Sequence, residues 1–447
     1  MGADPPGQAP QATGSLDLRR WVEQVCGGTV VSWQRAPTGG SRETYLVEVA
    51  RAGSSTALVL RAESGGSFAG TPINVAKEAT VYRALEATAV PVPRVLGVAP
   101  GGSALLMSRV PGTADLGHLD DDGRRDVMAG FIDVVADLHN LDVDELELPG
   151  FARPATATEH ATTDLELWAR LADEHAVELD PLVRYAGAYL RHHPPSAVAR
   201  TVLVQGDTGP GNFLVEDGRV TALIDMEFAH LGDPMDDLAW ILSRLPAAGV
   251  DPAPLLQRYT ARSGIAVDRR NLAYYEVAVQ YRCAVTTSLA VSRGGGARGW
   301  APYLLVTQRY VLGTASALCA LLGVEEPAVD LPDPPPTPRT AYFDHLLEGV
   351  RAAVRALPDP SLKESTRNLQ ILVHYLRAYD RAGRHVAEQD AADLRQTLGL
   401  LPDDLIGLAS AAEEGGRHGD LIVLGYLLRR ARRRAVLWQS LLDRPRR

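Results

Sequence analysis

The sequence predicts an α+β chain, a β-rich N-terminal part followed by a long, mainly helical part, with an all-helical C-terminal domain after them. Three observations carry this. β-rich runs gather in the first quarter of the chain, around residues 29–50, 57–62 and 104–108. Amphipathic helical stretches dominate the remainder of the chain. The segment LPDPPPTPRT (331–340) is a Pro-rich, semi-rigid linker that can neither continue a helix nor join a sheet interior. A chain of 447 residues is expected to divide into two or three such units. The boundaries are a disordered 1–14, the β-rich part 15–108, the mainly helical part 109–330, the linker 331–340 and the helical region 341–447.

Composition is that of a globular protein, with 46% hydrophobic and 22% charged residues. A net charge of -10 implies no general attraction to nucleic acid. Cys26, Cys283 and Cys319 have neither metal-ligand nor disulfide spacing, which fits a reducing, cytoplasmic setting. Lysine is confined to Lys77 and Lys363, a bias seen in proteins of GC-rich bacterial genomes. The N-terminal MGADPPGQAPQATG has no signal-peptide character, and Pro6 stands where a myristoylation signal has Ser or Thr. The most apolar stretch, 310–324, is short and carries Thr314 and Ser316. It reads as a buried helix, so no membrane partner is expected.

In chain order, a helix starts near Ser15, puts Leu18, Trp21, Val22 and Val25 on one face, and ends at Gly27-Gly28. Two β runs then flank Thr38-Gly39-Gly40-Ser41-Arg42, a hairpin whose glycines could let backbone N–H groups approach phosphates, with a plain turn between strands as the simpler alternative. The strand ALVLRAE carries Arg61. The helix NVAKEATVYRALEAT places Glu78, Val81, Tyr82 and Leu85 at helical spacing; a pair between Arg61 and Glu78 is one reading, and a strand charge and a helix charge each facing solvent is the other. ALLMS, containing Met107, is an apolar strand that runs into a Pro-Gly turn. Helix RRDVMAGFIDVVADLHNLD ends in His139, expected to meet nearby carbonyls. Further helices are expected over 158–196, 236–245, 252–263 and 268–292. Tyr275, Gln280 and Arg282 are candidate substrate contacts, with core or surface placement as the plainer alternative. Beyond the linker, Leu346, Leu347, Val350, Val354 and Leu357 form one apolar face, and Leu369, Leu372, Val373, Leu376 and Tyr379 another. The basic end, LLRRARRRAVLWQSLLDRPRR, reads as a solvated helix face.

The chemistry is concentrated in residues 202–239. A short apolar strand leads to Gly206-Asp207, Asn212 stands five positions on, and the run VTALI ends at Asp225. Gly232-Asp233-Pro234 and Asp236-Asp237-Leu238 come next. Phosphoryl transfer needs two carboxylates and an amide delivered in this way: one carboxylate for an acceptor hydroxyl, the other and the amide for Mg²⁺. The plainer alternative is a β-hairpin with polar turns.

The segment QGDTGPGN…LIDMEFAHLGDPMDDLA resembles the aminoglycoside phosphotransferase and choline kinase-like superfamily, whose pattern is HGDxxxxN…hhIDxxxxxxGDPxxDLA. The resemblance covers roughly residues 35–325 and implies a protein-kinase-like two-lobed fold. It implies Asp207 as the catalytic-loop aspartate, Asn212 and Asp225 as metal ligands, and Asp237 as the buried aspartate bracing the loop. Gly39, Gly40, Ser41, Arg61 and Glu78 then hold the phosphates of ATP, and adenine meets the backbone around Met107 to Arg109. Gln205 departs from the family's His, a structural partner of the loop, and Arg61 stands where the kinase fold has Lys. Arg retains the charge and can fork across two phosphate oxygens. The implied reaction moves the γ-phosphate of ATP, with Mg²⁺, to a hydroxyl of a small-molecule acceptor. The fuller motif looks most like the phosphotransferase portion of proteins linked to acyl-CoA dehydrogenases, which points to a hydroxyacyl acceptor or its CoA thioester. An aminoglycoside or other antibiotic is a second acceptor class, and a nucleotide-binding scaffold without transfer activity is the reading from another class. The region beyond the linker is similar to a small helical domain found beside such phosphotransferases.

Overall fold

The computed structural model describes residues 12–36, 42–63, 73–294, 300–329, 334–401 and 417–443. Helix α1 (Ala12–Cys26) begins ahead of the boundary drawn at Ser15. The small lobe is one antiparallel sheet of β1 (Thr29–Arg35), β2 (Glu43–Arg51), β3 (Ser54–Ala62), β4 (Val95–Val98) and β5 (Ala104–Ser108), in the order β1-β2-β3-β5-β4. Alternation along the strands decides what each face carries. Leu58, Leu60 and Ala62 of β3 join Ala104 and Leu106 of β5 and Val22 of α1 in a core on one side. Val59, Leu105 and Met107 face the other way, into the core shared with α2 (Val75–Leu85) and the large lobe. Arg61, in register with Leu105, therefore emerges on the side facing the large lobe.

The large lobe contains α3 (Asp121–His139), α4 (Ala157–Glu174) and α5 (Pro181–His192). Two small ladders come next, β6 (Val202–Val204) with β9 (His230–Gly232), and β7 (Phe213–Glu216) with β8 (Arg219–Leu223). Helices α6 (Pro234–Ala248), α7 (Pro252–Ser263), α8 (Arg269–Ser292) and α9 (Trp300–Leu322) complete it. Asp233 caps α6, accepting from Met235 N at 2.9 Å, and Pro234 at the first helical position has no N–H to leave orphaned. This start fixes where Asp237 points. By length and composition α9 could cross a membrane, but it packs between α8 and the C-terminal helices, with Val311, Ala315 and Leu318 buried.

Beyond the linker lie α10 (Thr340–Ala356), α11 (Pro360–Leu398) and α12 (Arg417–Ala435). The linker marks a change in composition, yet packing crosses it. Leu424, Leu427, Leu428 and Ala431 of α12 belong to the same core as α5 and α9. Leu304 and Leu305 of α9 pack on the cluster of Val386, Leu437, Trp438 and Leu441. Among the described residues of the basic end, the arginines are paired with acidic partners. Arg430 pairs with Asp180 at 2.7 Å, Arg432 with Glu326, Arg433 with Asp390 at 2.5 Å, and Arg429 with Asp393 at 2.8 Å. The apolar faces of α10 and α11 bury less than their periodicity suggests: Leu346, Leu369, Leu376 and Tyr379 stay about half exposed.

A continuous core predicts one melting transition, not two. Leu427→Ala, at a position 1% exposed, should cost about 2–4 kcal/mol. In scanning calorimetry it should lower a single transition that includes the large lobe. Two transitions, with only the smaller one moving, would show that the helical region folds independently.

Candidate active site

The loop between β6 and β7 is held from below by α6. Asp237, fully buried, accepts from Gln205 N at 2.9 Å, from Gly206 N at 3.0 Å and from the Thr208 hydroxyl. His139 Nε2 meets Asp237 Oδ2 at 3.0 Å, and its Nδ1 meets the Tyr259 hydroxyl at 2.8 Å. His139 thus binds a buried carboxylate rather than nearby carbonyls, correcting the expectation from its place at a helix end. Gly206 is required here: its φ is 82°, and a Cβ would lie 2.5 Å from Phe228 O. Gln205, where the family pattern has His, donates through Nε2 to Ile224 O at 2.8 Å and to Asn212 O at 3.2 Å. One amide therefore ties the loop to both ends of the β7–β8 hairpin, and so to the segments that carry Asn212 and Asp225.

These anchors bring Asp207, Asn212 and Asp225 to one place. Asn212 Nδ2 donates to Asp207 O at 2.7 Å and to Asp207 Oδ2 at 2.5 Å. The other Asp207 oxygen, Oδ1, is paired with Arg244 of α6. Burial pushes the Asp207 carboxyl up to about 6, with Asp225 adding to the rise and Arg244 opposing it. Asp225 has φ 63°, a left-handed conformation that Asp tolerates better than most residues. In that conformation Asp225 N donates to the Tyr82 hydroxyl at 3.0 Å, and its carboxylate meets Arg61.

Arg61 is the hub on the small-lobe side. Nη1 meets Glu78 Oε1 at 2.8 Å, while Nη2 meets Asp225 Oδ1 at 2.9 Å and Glu227 Oε2 at 3.4 Å. Burial works against its charge, but Asp225 and Glu78 outweigh burial and hold Arg61 above its ordinary range. Burial raises the Glu78 carboxyl, and Arg61 counters it. Tyr82, one turn after Glu78, also donates to Glu78 Oε1 at 3.1 Å. Arg42 adds a second layer: it pairs with Glu227, reaches Glu63 Oε1 at 3.2 Å and donates to Ile73 O at 2.9 Å.

The other sequence candidates fall elsewhere. Gly39, Gly40 and Ser41 lie outside the described residues. The Met107 side chain is 4% exposed and packs in the core. The N–H groups of Ser108 and Arg109 donate to Arg94 O at 2.9 Å and Ala57 O at 3.3 Å, so these donors, assigned to adenine from the sequence, are engaged in the sheet. Tyr275 is buried, and Arg282 pairs with Asp236 at 2.6 Å and Asp164 at 3.0 Å, bridging α8, α6 and α4. Gln280 fills the space that Gly313 leaves on α9. Arg282 and Gln280 thus join helices, and Tyr275 lies in the core. Sequence reasoning missed Arg244, Glu227, Tyr82 and Arg42 as members of the site. Two carried a readable signal: Tyr82 is four residues after Glu78, and Arg244 is seven after Asp237, each on the same helix face as its predecessor. Cys283, near Asp207, is buried, and burial pushes its thiol up to about 12.

The model of the phosphotransferase enzyme family (APH) matches residues 32–275, more than half of the chain. Acyl-CoA dehydrogenase family member 10 of Mus musculus is 26% identical over 213 residues, covering 45% of this chain and 19% of that protein. Acyl-CoA dehydrogenase family member 11 of Gallus gallus is 26% identical over 247 residues, 53% of this chain and 29% of that one. The matched region is thus less than a third of the length of these relatives. Among solved structures, a protein provisionally designated an aminoglycoside phosphotransferase, from Ralstonia eutropha, aligns with a TM-score of 0.54 at 20% identity, over 70% of this chain and 99% of its own. That likeness shows a shared kinase-like fold. With a loop, hairpin and bracing helix built as described, and a family model spanning 32–275, the chain belongs to the phosphotransferase enzyme family.

Proposed function

We propose that the protein transfers the γ-phosphoryl group of ATP, with Mg²⁺, to a hydroxyl of a small molecule. The observation that carries this is the convergence of Asp207, Asn212 and Asp225 opposite the Arg61–Glu78 pair. The donor set fits a magnesium ion. Asn212 makes both of its side-chain hydrogen bonds through nitrogen, which leaves its carbonyl oxygen for a cation beside the Asp225 carboxylate. Two protein oxygens are ordinary for Mg²⁺, which takes the rest of its shell from phosphates and water. Mg²⁺, when bound, neutralises charge on the phosphates. Arg61, oriented by Glu78, holds nucleotide phosphate oxygens in a fork. Asp207 accepts a hydrogen bond from the acceptor hydroxyl, aims it at phosphorus and takes its proton late. Positioning and preorganised charge supply most of the acceleration. We infer a hydroxyacyl acceptor, as free acid or CoA thioester; its support is the match to acyl-CoA dehydrogenase family members 10 and 11.

Three outcomes test the roles. Asp225→Asn should weaken binding of a Mg-ATP analogue in calorimetry as well as turnover. Asp207→Asn should leave that binding nearly intact and lower kcat by roughly 10²–10⁴; full activity with a verified acceptor would remove Asp207 from the mechanism. Second, Asp207 must be ionised to accept the proton, so kcat should fall below an acid limb near 6, about tenfold per pH unit, and level off above it. A limb near 4, as for a solvent-exposed aspartate, would contradict the burial described. Third, Arg61→Ala should raise the KM for ATP more than Glu78→Ala does, with Arg61→Lys intermediate because the charge remains and the fork is lost. Unchanged ATP kinetics in Arg61→Ala would place the phosphates elsewhere.

A further inference from the structure

One side of the α10–α11 hairpin is apolar, uncharged and exposed. On α10, Tyr342, Leu346, Gly349 and Ala353 follow at steps of four, three and four residues, and all of them are exposed. On α11, Leu362, Ser365, Leu369, Leu372, Leu376 and Tyr379 follow at steps of three and four, and all but Leu372 are exposed. Spacing of this kind marks a seam along which one helix packs on another. Leu347, 3% exposed, already serves the contact between the two helices. The two series are a further pair of seams, and they lie on the same side of the hairpin. From Leu347, Leu346 and Asp344 turn opposite ways around α10, and Asp344 pairs with Arg377 of α11 at 3.0 Å, which closes the other side.

The same face continues into the second half of α11. Val386, seven residues after Tyr379, is buried with Leu437 and Leu441, and Leu394 joins the core of the large lobe. Along the first half the face stays bare. Tyr342 is 74% exposed, and Leu346, Leu362, Leu369, Leu376 and Tyr379 are 49–55% exposed. A helix face turned to water carries charge; no member of either series is charged. With about 200 Å² for a whole large side chain, these six leave on the order of 600 Å² of apolar surface on one copy. That is the upper end of what a monomer ordinarily exposes, about 300–600 Å². Two such faces together reach the roughly 1,200 Å² at which stable interfaces begin.

We propose that a second copy of the chain docks here, hairpin on hairpin, about a twofold axis that runs across the helices. The distribution of bulk carries this choice. Tyr342 and Tyr379 fill the end next to the linker, where Arg339 pairs with Asp380 at 2.8 Å, whereas Ala353 and Ser365 leave the other half shallow. Turned about such an axis, the tyrosine end of each copy lies over the shallow half of the other, large against small, and the contact closes on itself. The axis passes near Gly349, where a Cβ would meet nothing within 4 Å, so the two α10 backbones approach closely there. This sense also sends the two large lobes to opposite ends, since each is packed on the second half of its own α11. An uncharged centre is what a homodimer interface has. The inference does not depend on the phosphotransferase reading.

Analytical ultracentrifugation of the full chain reads the outcome. Wild type at tens of micromolar should sediment with twice the mass of one chain. Leu369→Glu and Leu376→Glu should each raise the dimer dissociation constant by about 10²-fold or more, because lost apolar burial and a buried charge count in both copies. Circular dichroism of both variants should match wild type, since each position is half exposed within one copy. Arg351→Glu, on the other side of α10, should leave the mass unchanged. Gly349→Cys, beside the axis, should give a covalent dimer with a short bismaleimide, and Leu362→Cys, at the tip of the hairpin, should not. Monomeric wild type would leave the face to another protein and overturn the proposal. A dimer whose dissociation constant neither glutamate moves, or a species larger than a dimer, would overturn it too. Cross-linking through Leu362→Cys and not through Gly349→Cys would overturn the twofold sense.

Discussion

The catalytic loop is held by a buried carboxylate that meets four donor groups. Asp237 has no exposed surface, and an isolated charge in such a place would cost several kcal/mol. Two backbone N–H groups, a hydroxyl and an imidazole nitrogen surround it. Three of those partners are consecutive or nearly so in the catalytic loop, so satisfying the carboxylate and fixing the loop are one event. His139 extends the constraint to α3 and, through Tyr259, to α7. The loop is thereby referenced to three helices at once, the rigidity that the role proposed for Asp207 calls for.

Above that anchor lies a layer of alternating charge. Glu78, Arg61, Asp225 and Glu227 form one chain of contacts, and Asp207 with Arg244 another. In a low-dielectric cleft such pairs persist only when each member has a partner. On the proposed reading, binding would exchange these partners rather than expose naked charge, which would leave little reorganisation for the moment of transfer. The substitution of Gln for His at 205 is compatible with this, because its amide nitrogen supplies two hydrogen bonds to backbone carbonyls of the hairpin. The arginine at 61 serves the same layer better than a lysine could, since it reaches Glu78 and Asp225 through different nitrogens.

The C-terminal helices depart from the modular picture that the proline-rich segment suggests. Proline content determines whether a helix can continue through a segment, and nothing about what the next helix packs against. The arginines of α12 looked like a solvated stripe because their acidic partners, Asp180, Glu326, Asp390 and Asp393, lie far away in sequence.

The resemblance of residues 202–239 to the family pattern is what grouped Asp207, Asn212 and Asp225 and paired Arg61 with Glu78. The residues themselves contributed the short spacing of a loop and hairpin, and the strand and helix periodicities. Those are local rules, reaching a handful of residues. Long-range packing was needed to establish that His139 meets Asp237, that Arg244 holds Asp207, that the donors after Met107 belong to the sheet, and that α12 shares the core of the large lobe. Each of these joins elements distant along the chain, and such contacts are chosen by packing and by the pairing of buried charge, which no local pattern records.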